Sequence, residues 1–596
     1  MNAASPMAGN TDLVTMTIFV DGKPIPGTYQ MAQMRVDKQV NRIPSAKITF
    51  FDGGASSEGF PISESANLIP GKEVEITAGY HGVETSIFKG IIVKHGIRVE
   101  DGGKSYLVIS CYSKAIKMTQ GRKSGYLGKT DSDIFQTLIN GAGLNAAVTA
   151  TTAAHDGIIR YYATDWDFLV CRAEINGQIV IADDTSVSVC KPQLDAAPDL
   201  LIGYGDAIKQ FDGEIDASTQ LASVTCSAWD FTEQALETGT STEPSVNAQG
   251  NLSGVALSGV LDLPAFQLQS TAPLPATQLG AWADAQLLKS RLARLRGNVT
   301  FRGNAMPLPG KMIELAGLGA RFNGTAFVSS VSHTIENGDW VTEVGFGLSP
   351  QWFVEERNDI SAPPASGRTP GVPGLQIGKV RQIDQDPDGQ TRVLVDVPVI
   401  GMEGNGIWAR LASGYATRNG GIFFVPEIGD EVILGFLNDD PGFPIVLGSL
   451  YSGMQTPPYT ADAPNTHKAI VTKAQIKISM DDVKKKLQIE TPGGHIITMN
   501  DEDQTITIVD SNRNKMKFSS GGLELQSVAD ISIKANGAIN MEAGNGIILK
   551  SDTDLNMQAI NVNAKALSTF TAQGLASAEL SASGQVTVRG AMVMIN

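Results

Sequence analysis

Cysteine is scarce, and its spacing suits no metal site. Cys111, Cys171, Cys190 and Cys226 are the only four in 596 residues, none stands in a C-x-x-C spacing, and no closely spaced histidine pair accompanies them. That pattern excludes a zinc site and predicts free, buried thiols made in a reducing compartment. Long apolar runs are missing as well, so no membrane-spanning helix is expected. The opening MNAASPMAGNTDLV has no basic stretch followed by an apolar one, which argues against a Sec signal peptide. Basic charge is in deficit: a net charge of -16 disfavours broad attraction to nucleic acid or to an anionic membrane. Aromatic residues almost vanish from the C-terminal part, where Phe570 alone follows Phe518.

What that C-terminal part does contain is a pattern. Apolar residues two apart recur at Leu487/Ile489, Ile497/Met499, Ile506/Ile508, Met516/Phe518, Leu523/Leu525, Ile531/Ile533, Ile539/Met541, Ile547/Leu549 and Leu555/Met557. The interval wanders at first and settles at eight residues from Leu523 to Leu555. A short fixed period of strand-type pairs marks a repeat architecture, with one dry and one wet face. Eight residues per turn cannot close a β-helix around one chain's own core. Three copies wound into a triangular prism would cover the dry face, with Ile531, Ile533, Ile539, Met541, Ile547, Leu549, Leu555 and Met557 as the core of the trimer. The final residues Val593, Met594, Ile595 and Asn596, the first three apolar, are the candidate seat for a tip protein.

Upstream the chain reads as mainly β. Segments VTMTIFV, AKITFFDG, EVEITAGY and YLVISCY sit between Gly, Asp and Pro punctuation. Helices are predicted over 131–140, 165–176 and 279–296, the last with Lys289, Arg291, Arg294 and Arg296 at its negative end. Residues 238–277 read as a long connection or insertion within a module spanning 1–360, and SAPPASGRTPGVPG (361–374) as a linker. Short strands such as IGKVRQI, TRVLVDVPVI, IWARL, GIFFVP, DEVILGFL and PIVLGSLY over 375–455 fit a small OB-type barrel, and the spike occupies 466–596.

Several motifs carry both a sharp and a plain reading. Asp384, Asp386, Asp388 and Gly389 copy the start of a calcium loop, but Val395 stands where the bidentate Glu is needed, so a polar turn is expected. Asp165/Asp167 and Asp183/Asp184 are expected to cap helices and line turns, and His155-Asp156 with Cys171 shows no oriented third member. An OB barrel can bind single strands over a basic aromatic groove, but PEIGDE and NDDPG are acidic.

The run Pro426, Gly429, Asp430, Glu431, Gly435, Phe436, Pro441, Pro444 and Gly448, ending in Ser449-Leu450-Tyr451, resembles the OB-domain signature of VgrG-type spike proteins. These belong to type VI secretion systems, extracellular contractile injection systems and contractile phage tails. Asn41–Ala46, Phe88-Lys89-Gly90, Thr164–Leu169 and Ser227–Asp230 resemble the hub of the same family. The resemblance implies a homotrimeric hub and membrane-puncturing spike that adapts a six-fold inner tube to a three-fold needle. It implies baseplate proteins, an inner-tube ring, a PAAR-type tip protein and effector cargo as partners, with no cofactor and no enzymatic activity. It also implies synthesis in the bacterial cytoplasm and assembly into a particle that is released or delivered outside the cell. Two alternatives are a spike with a cell-wall hydrolase hidden in 238–277, which has no His, and a polysaccharide-binding β-helical fibre, which the lack of aromatics disfavours.

Overall fold

The computed structural model describes residues 4–7, 9, 11–54, 58–401 and 404–595, with the side chain of Asp156 left aside. The chain divides into two units, Met1–Leu450 and Tyr451–Asn596.

In the first unit a 13-stranded sheet dominates. Its first half follows from simple alternation. In Ser45–Phe51, Ala46, Ile48 and Phe50 are buried, and in Glu73–Tyr80, Val74, Ile76 and Ala78 are. These side chains form a core with Met34, Phe88, Ile109 and Trp340. Met31–Gln39 then pairs antiparallel with Gly324–Glu336, His333 opposite Val36, so two stretches almost 300 residues apart share one sheet. A second core, with Val299, Phe301, Ile313 and Val344, lies beyond that junction.

Two helices form within a residue of the predicted bounds, opened by acidic first turns. In Asp131–Gly141 and Asp165–Ile175, Thr130 and Thr164 accept the amide N–H of Asp133 and Asp167. With the strands Asn145–Val148, Ile179–Asp183 and Ser186–Cys190 they enclose a core containing Phe135, Ile139, Trp166 and Leu169.

The predicted helix over 279–296 is corrected to Ala276–Leu292, followed directly by the strand Leu295–Arg302. Helix propensity yields to sheet pairing on both sides, with Ile208–Ile215 and with Asp339–Phe346. Gly297 therefore closes no helix. It sits where a Cβ would meet the Asp212 carbonyl oxygen at 2.1 Å. The basic residues serve other ends. Arg291 grips Glu243 (Nε–Oε1 2.7 Å), and Arg294 donates to the carbonyls of Leu252 and Gln249. They fasten the 238–277 stretch, whose Phe266–Ser270 strand joins Val224–Asp230 and Ala235–Thr240 in a small sheet packed on the helix.

The barrel is closed by five strands: Gln376–Gln382, Val393–Asp396, Ile407–Leu411, Pro444–Ser449 and Glu431–Phe436. GIFFVP contributes only Gly421, which with Gly420 pairs with Ala416–Thr417, and leaves Phe423 and Phe424 exposed.

The second unit opens with a seven-stranded antiparallel meander: His467–Val471, Lys477–Asp481, Lys486–Glu490, Ile496–Asn500, Thr505–Val509, Lys515–Ser519 and Gly522–Gln526. Over 467–526 each strand folds back on its predecessor within the chain. The irregular intervals at the start of the pattern are hairpin lengths. After Gln526 no strand ladder forms among the described residues.

Candidate functional site

The meander owes its shape to its turns. Asp481 Oδ1 accepts the N–H of Val483 and Lys484, Asn500 Oδ1 that of Glu502 and Asp503, and Asp510 Oδ1 that of Asn512 and Asn514. Lys485, Gln504 and Arg513 adopt positive φ at these reversals. Such turns fix the register, and the register lines up the apolar pairs. One row runs Ile470, Ile478, Ile489, Ile497, Ile508, Met516, Leu525, each opposite the next. A parallel row runs Met480, Leu487, Met499, Ile506, Phe518, Leu523. Thr498, Thr507, Lys517 and Glu524 fall on the opposite face.

None of the thirteen row residues is buried within the chain. Beyond the meander Ile531, Ile533, Ile539, Met541, Ile547, Leu549, Leu555 and Met557 are all more than half exposed, from 52% to 71%. Val593, Met594 and Ile595 are exposed too, and Asn596 lies outside the described residues. Contiguous apolar surface of this extent marks an interaction face rather than a monomer's skin.

The barrel signature is built as a turn and a bulged hairpin. Gly429 takes φ +96° and donates its N–H to the Val380 carbonyl (2.8 Å), while the Asp430 carboxylate accepts from Glu427 N–H (2.9 Å). Glu431–Phe436 then pairs with Pro444–Ser449: Phe436 faces Pro444, Gly435 faces Ile445 and Ile433 faces Gly448, with a register shift between Ile433 and Leu434. Pro441 lies in the intervening turn, where Asp440 accepts the Gly442 N–H and the Arg368 guanidinium. The linker is thereby held: Val372 N–H reaches the Asp439 carbonyl at 2.8 Å, and Ala365 is buried.

The chemical motifs resolve into structure. Asp386 accepts the backbone N–H of Asp388, Gln390 and Arg392, and the Arg392 guanidinium at 2.6 Å. That guanidinium holds its carboxyl far below the usual range and stands where a cation would sit. No metal-holding cluster occurs among the described residues. Asp165 is an ion-pair partner of Lys123 (2.6 Å) and Arg160, and Asp167 gives its N–H to the Thr164 cap while its carboxylate accepts from the Thr164 hydroxyl. Burial pushes the Cys171 thiol up to about 12, which leaves it inert, and all four cysteines are free. The side chain of Asp156 lies outside what is described. One cluster had no sequence signal: buried Asp131 takes Arg172 in a two-pronged pair (2.9 and 2.8 Å), Asn176 (2.9 Å) and His155 (3.2 Å). Asp131, His155 and the Arg172/Asn176 pair come from three different elements, so only the fold brings them together.

Residues 10–337, more than half of the chain, match the family described as the Alg8 N-terminal domain. The chain belongs to that family. Residues 376–451 match the type VI secretion system/phage-baseplate injector OB domain. The barrel is thus that of VgrG-type hub and spike proteins. A type VI secretion system spike protein VgrG1a of Pseudomonas aeruginosa is 36% identical over 72 residues, 12% of this chain and 11% of that protein. The actin cross-linking toxin VgrG1 of Vibrio cholerae is 36% identical over 94 residues, 15% of this chain and 9% of that protein. The aligned stretch spans only about a tenth of these curated relatives. A tail protein of Neisseria meningitidis superposes with a TM-score of 0.44 at 15% identity, covering 57% of this chain and 98% of that one.

Proposed function

We propose that the chain is the homotrimeric central hub and membrane-puncturing spike at the tip of a contractile injection machine. The observation that carries this reading is the two-row apolar face of the meander, continued by exposed apolar pairs in a segment that forms no ladder of its own. Backbone N–H and C=O groups need partners, and so does an apolar face. Three identical chains supply both at once, each giving one wall of a prism around Ile531, Ile533, Ile539, Met541, Ile547, Leu549, Leu555 and Met557.

In this reading residues 1–360 form the module that meets the six-fold inner tube and baseplate, residues 361–374 link it to the barrel at 375–455, and 466–596 is the needle. Val593, Met594, Ile595 and Asn596 seat a PAAR-type tip protein, and effector cargo travels with the spike. The protein works by mechanical delivery, without catalysis, after synthesis in the bacterial cytoplasm and assembly into a particle. The kinship of its barrel to type VI and phage-baseplate injectors supports that role. Light scattering on the purified full chain should report three copies per particle. A stable monomer at micromolar concentration would sink the reading.

A further inference from the structure

The apolar rows explain why walls associate, but they do not select one alignment. Isoleucine, leucine and methionine repeat from strand to strand, so slipping one wall past another by a hairpin keeps most apolar contact. Something else must set the height at which the edges meet.

The turns of the meander fall alternately on its two edges, and their charges differ. The turn at 501–504, between the fourth and fifth strands, carries Asp501, Glu502 and Asp503. The turn at 510–514, between the fifth and sixth strands, lies on the opposite edge and carries Arg513, with Lys515 opening the next strand. The acidic turn is held in shape by Asn500, whose Nδ2 also donates to Asp503 (2.7 Å). Asp510, the one acid in the basic turn, is held by Asn512 and Asn514 within its own turn and is outnumbered by Arg513 and Lys515, which leave the turn net positive. Asp501, Glu502, Asp503, Arg513 and Lys515 form no ion pair with any described residue. Along the stack the two turns are one strand apart, about 4.8 Å. The next hairpin up the acidic edge carries Lys484 and Lys485 instead, and the corresponding place on the other edge is neutral, Glu490 being paired with Lys477 (3.0 Å).

We infer that Asp501, Glu502 and Asp503 of one copy pair with Arg513 and Lys515 of the next, and that this charged seam sets the register of the three walls. An edge that is negative and an opposite edge that is positive at nearly one height suit a head-to-tail ring, in which every seam is the same heterologous contact. Slipping by one hairpin would bring Lys484 and Lys485 toward the basic turn, so the wrong register is penalised as well as the right one favoured. The inference rests on the three-chain reading.

The test uses the full chain as wild type, as E502K/D503K, as R513E/K515E and as the fourfold variant, each refolded and measured by light scattering at low and at molar salt. Each single-edge reversal should lower the trimer yield roughly tenfold at low salt, as expected of a few exposed pairs turned repulsive at three seams. Molar salt should restore much of it, and the fourfold variant should match wild type. Equal trimer yields for all four proteins at low salt would overturn the seam and leave the trimer standing. A loss that neither salt nor the fourfold variant repairs would overturn it too, as a folding defect. A monomeric wild type would instead overturn the three-chain reading.

Discussion

His333 is fully enclosed in the first unit, its Nδ1 3.0 Å from the Thr342 hydroxyl and its ring against Trp340. Burial, aided by the charge of Lys38, pushes its pKa down to about 3. The imidazole is therefore neutral when folded, whereas the unfolded chain protonates it near the ordinary value of about 6.5. The resulting stability is whole above about 6.5 and drains away as pH falls toward 3. Thermal melts of the first unit's signal should decline through that window, and His333→Gln should flatten the decline; an unchanged slope would count against the assignment. At this scale the sequence was legible where a residue acts on its own neighbours, as with the acidic residues that open the helices at 131 and 165 and the signature glycine Gly429. It was silent wherever partners are far apart, as with Asp131 and Arg172, or Asp440 and Arg368, whose pairing exists only once the sheets have formed.

At the scale of elements, alternation identified the apolar pairs but could not tell a meander from a winding strand, since both put every second side chain on one face. What separates them is the turn. Asp481, Asn500 and Asp510 each close a tight reversal, and the charged runs Lys484–Lys486 and Asp501–Asp503 mark two of those corners in the sequence. The helix at 276–292 was misjudged for a different reason: strands on both sides claim residues 295–302 whatever their helix propensity. The meander gives a direct element-scale prediction. Ile508→Asp, central in one apolar row, should leave the barrel folded, because the barrel belongs to the other unit and has its own core. It should abolish the trimer in light scattering, at a cost of about 2 kcal/mol or more per chain for an unpaired charge in a dry seam. A trimer with wild-type mass would show that the rows are not the seam.

At the scale of the whole molecule, the place of the barrel was legible from its signature, which the matched OB-domain residues 376–451 contain. The union of residues 31–39 with 324–336 was not, because no local pattern encodes which distant strand becomes a neighbour. Deleting residues 523–596 removes the last strand and all the ladderless segment. The truncated chain should keep a folded barrel yet lose thermal stability of its trimer, and equal melting temperatures for the two forms would deny that segment a part in assembly.

The stretch 361–374 has the composition of a slack tether, yet Arg368, Val372 and Ala365 pin it to the turn at Leu437–Asp440. A slack tether transmits tension and nothing else. A pinned strap also resists compression and twist, so a thrust on one side of it reaches the barrel without first taking up play. In a machine that spends its stroke in a single contraction, no part of the travel is then lost to straightening a loop.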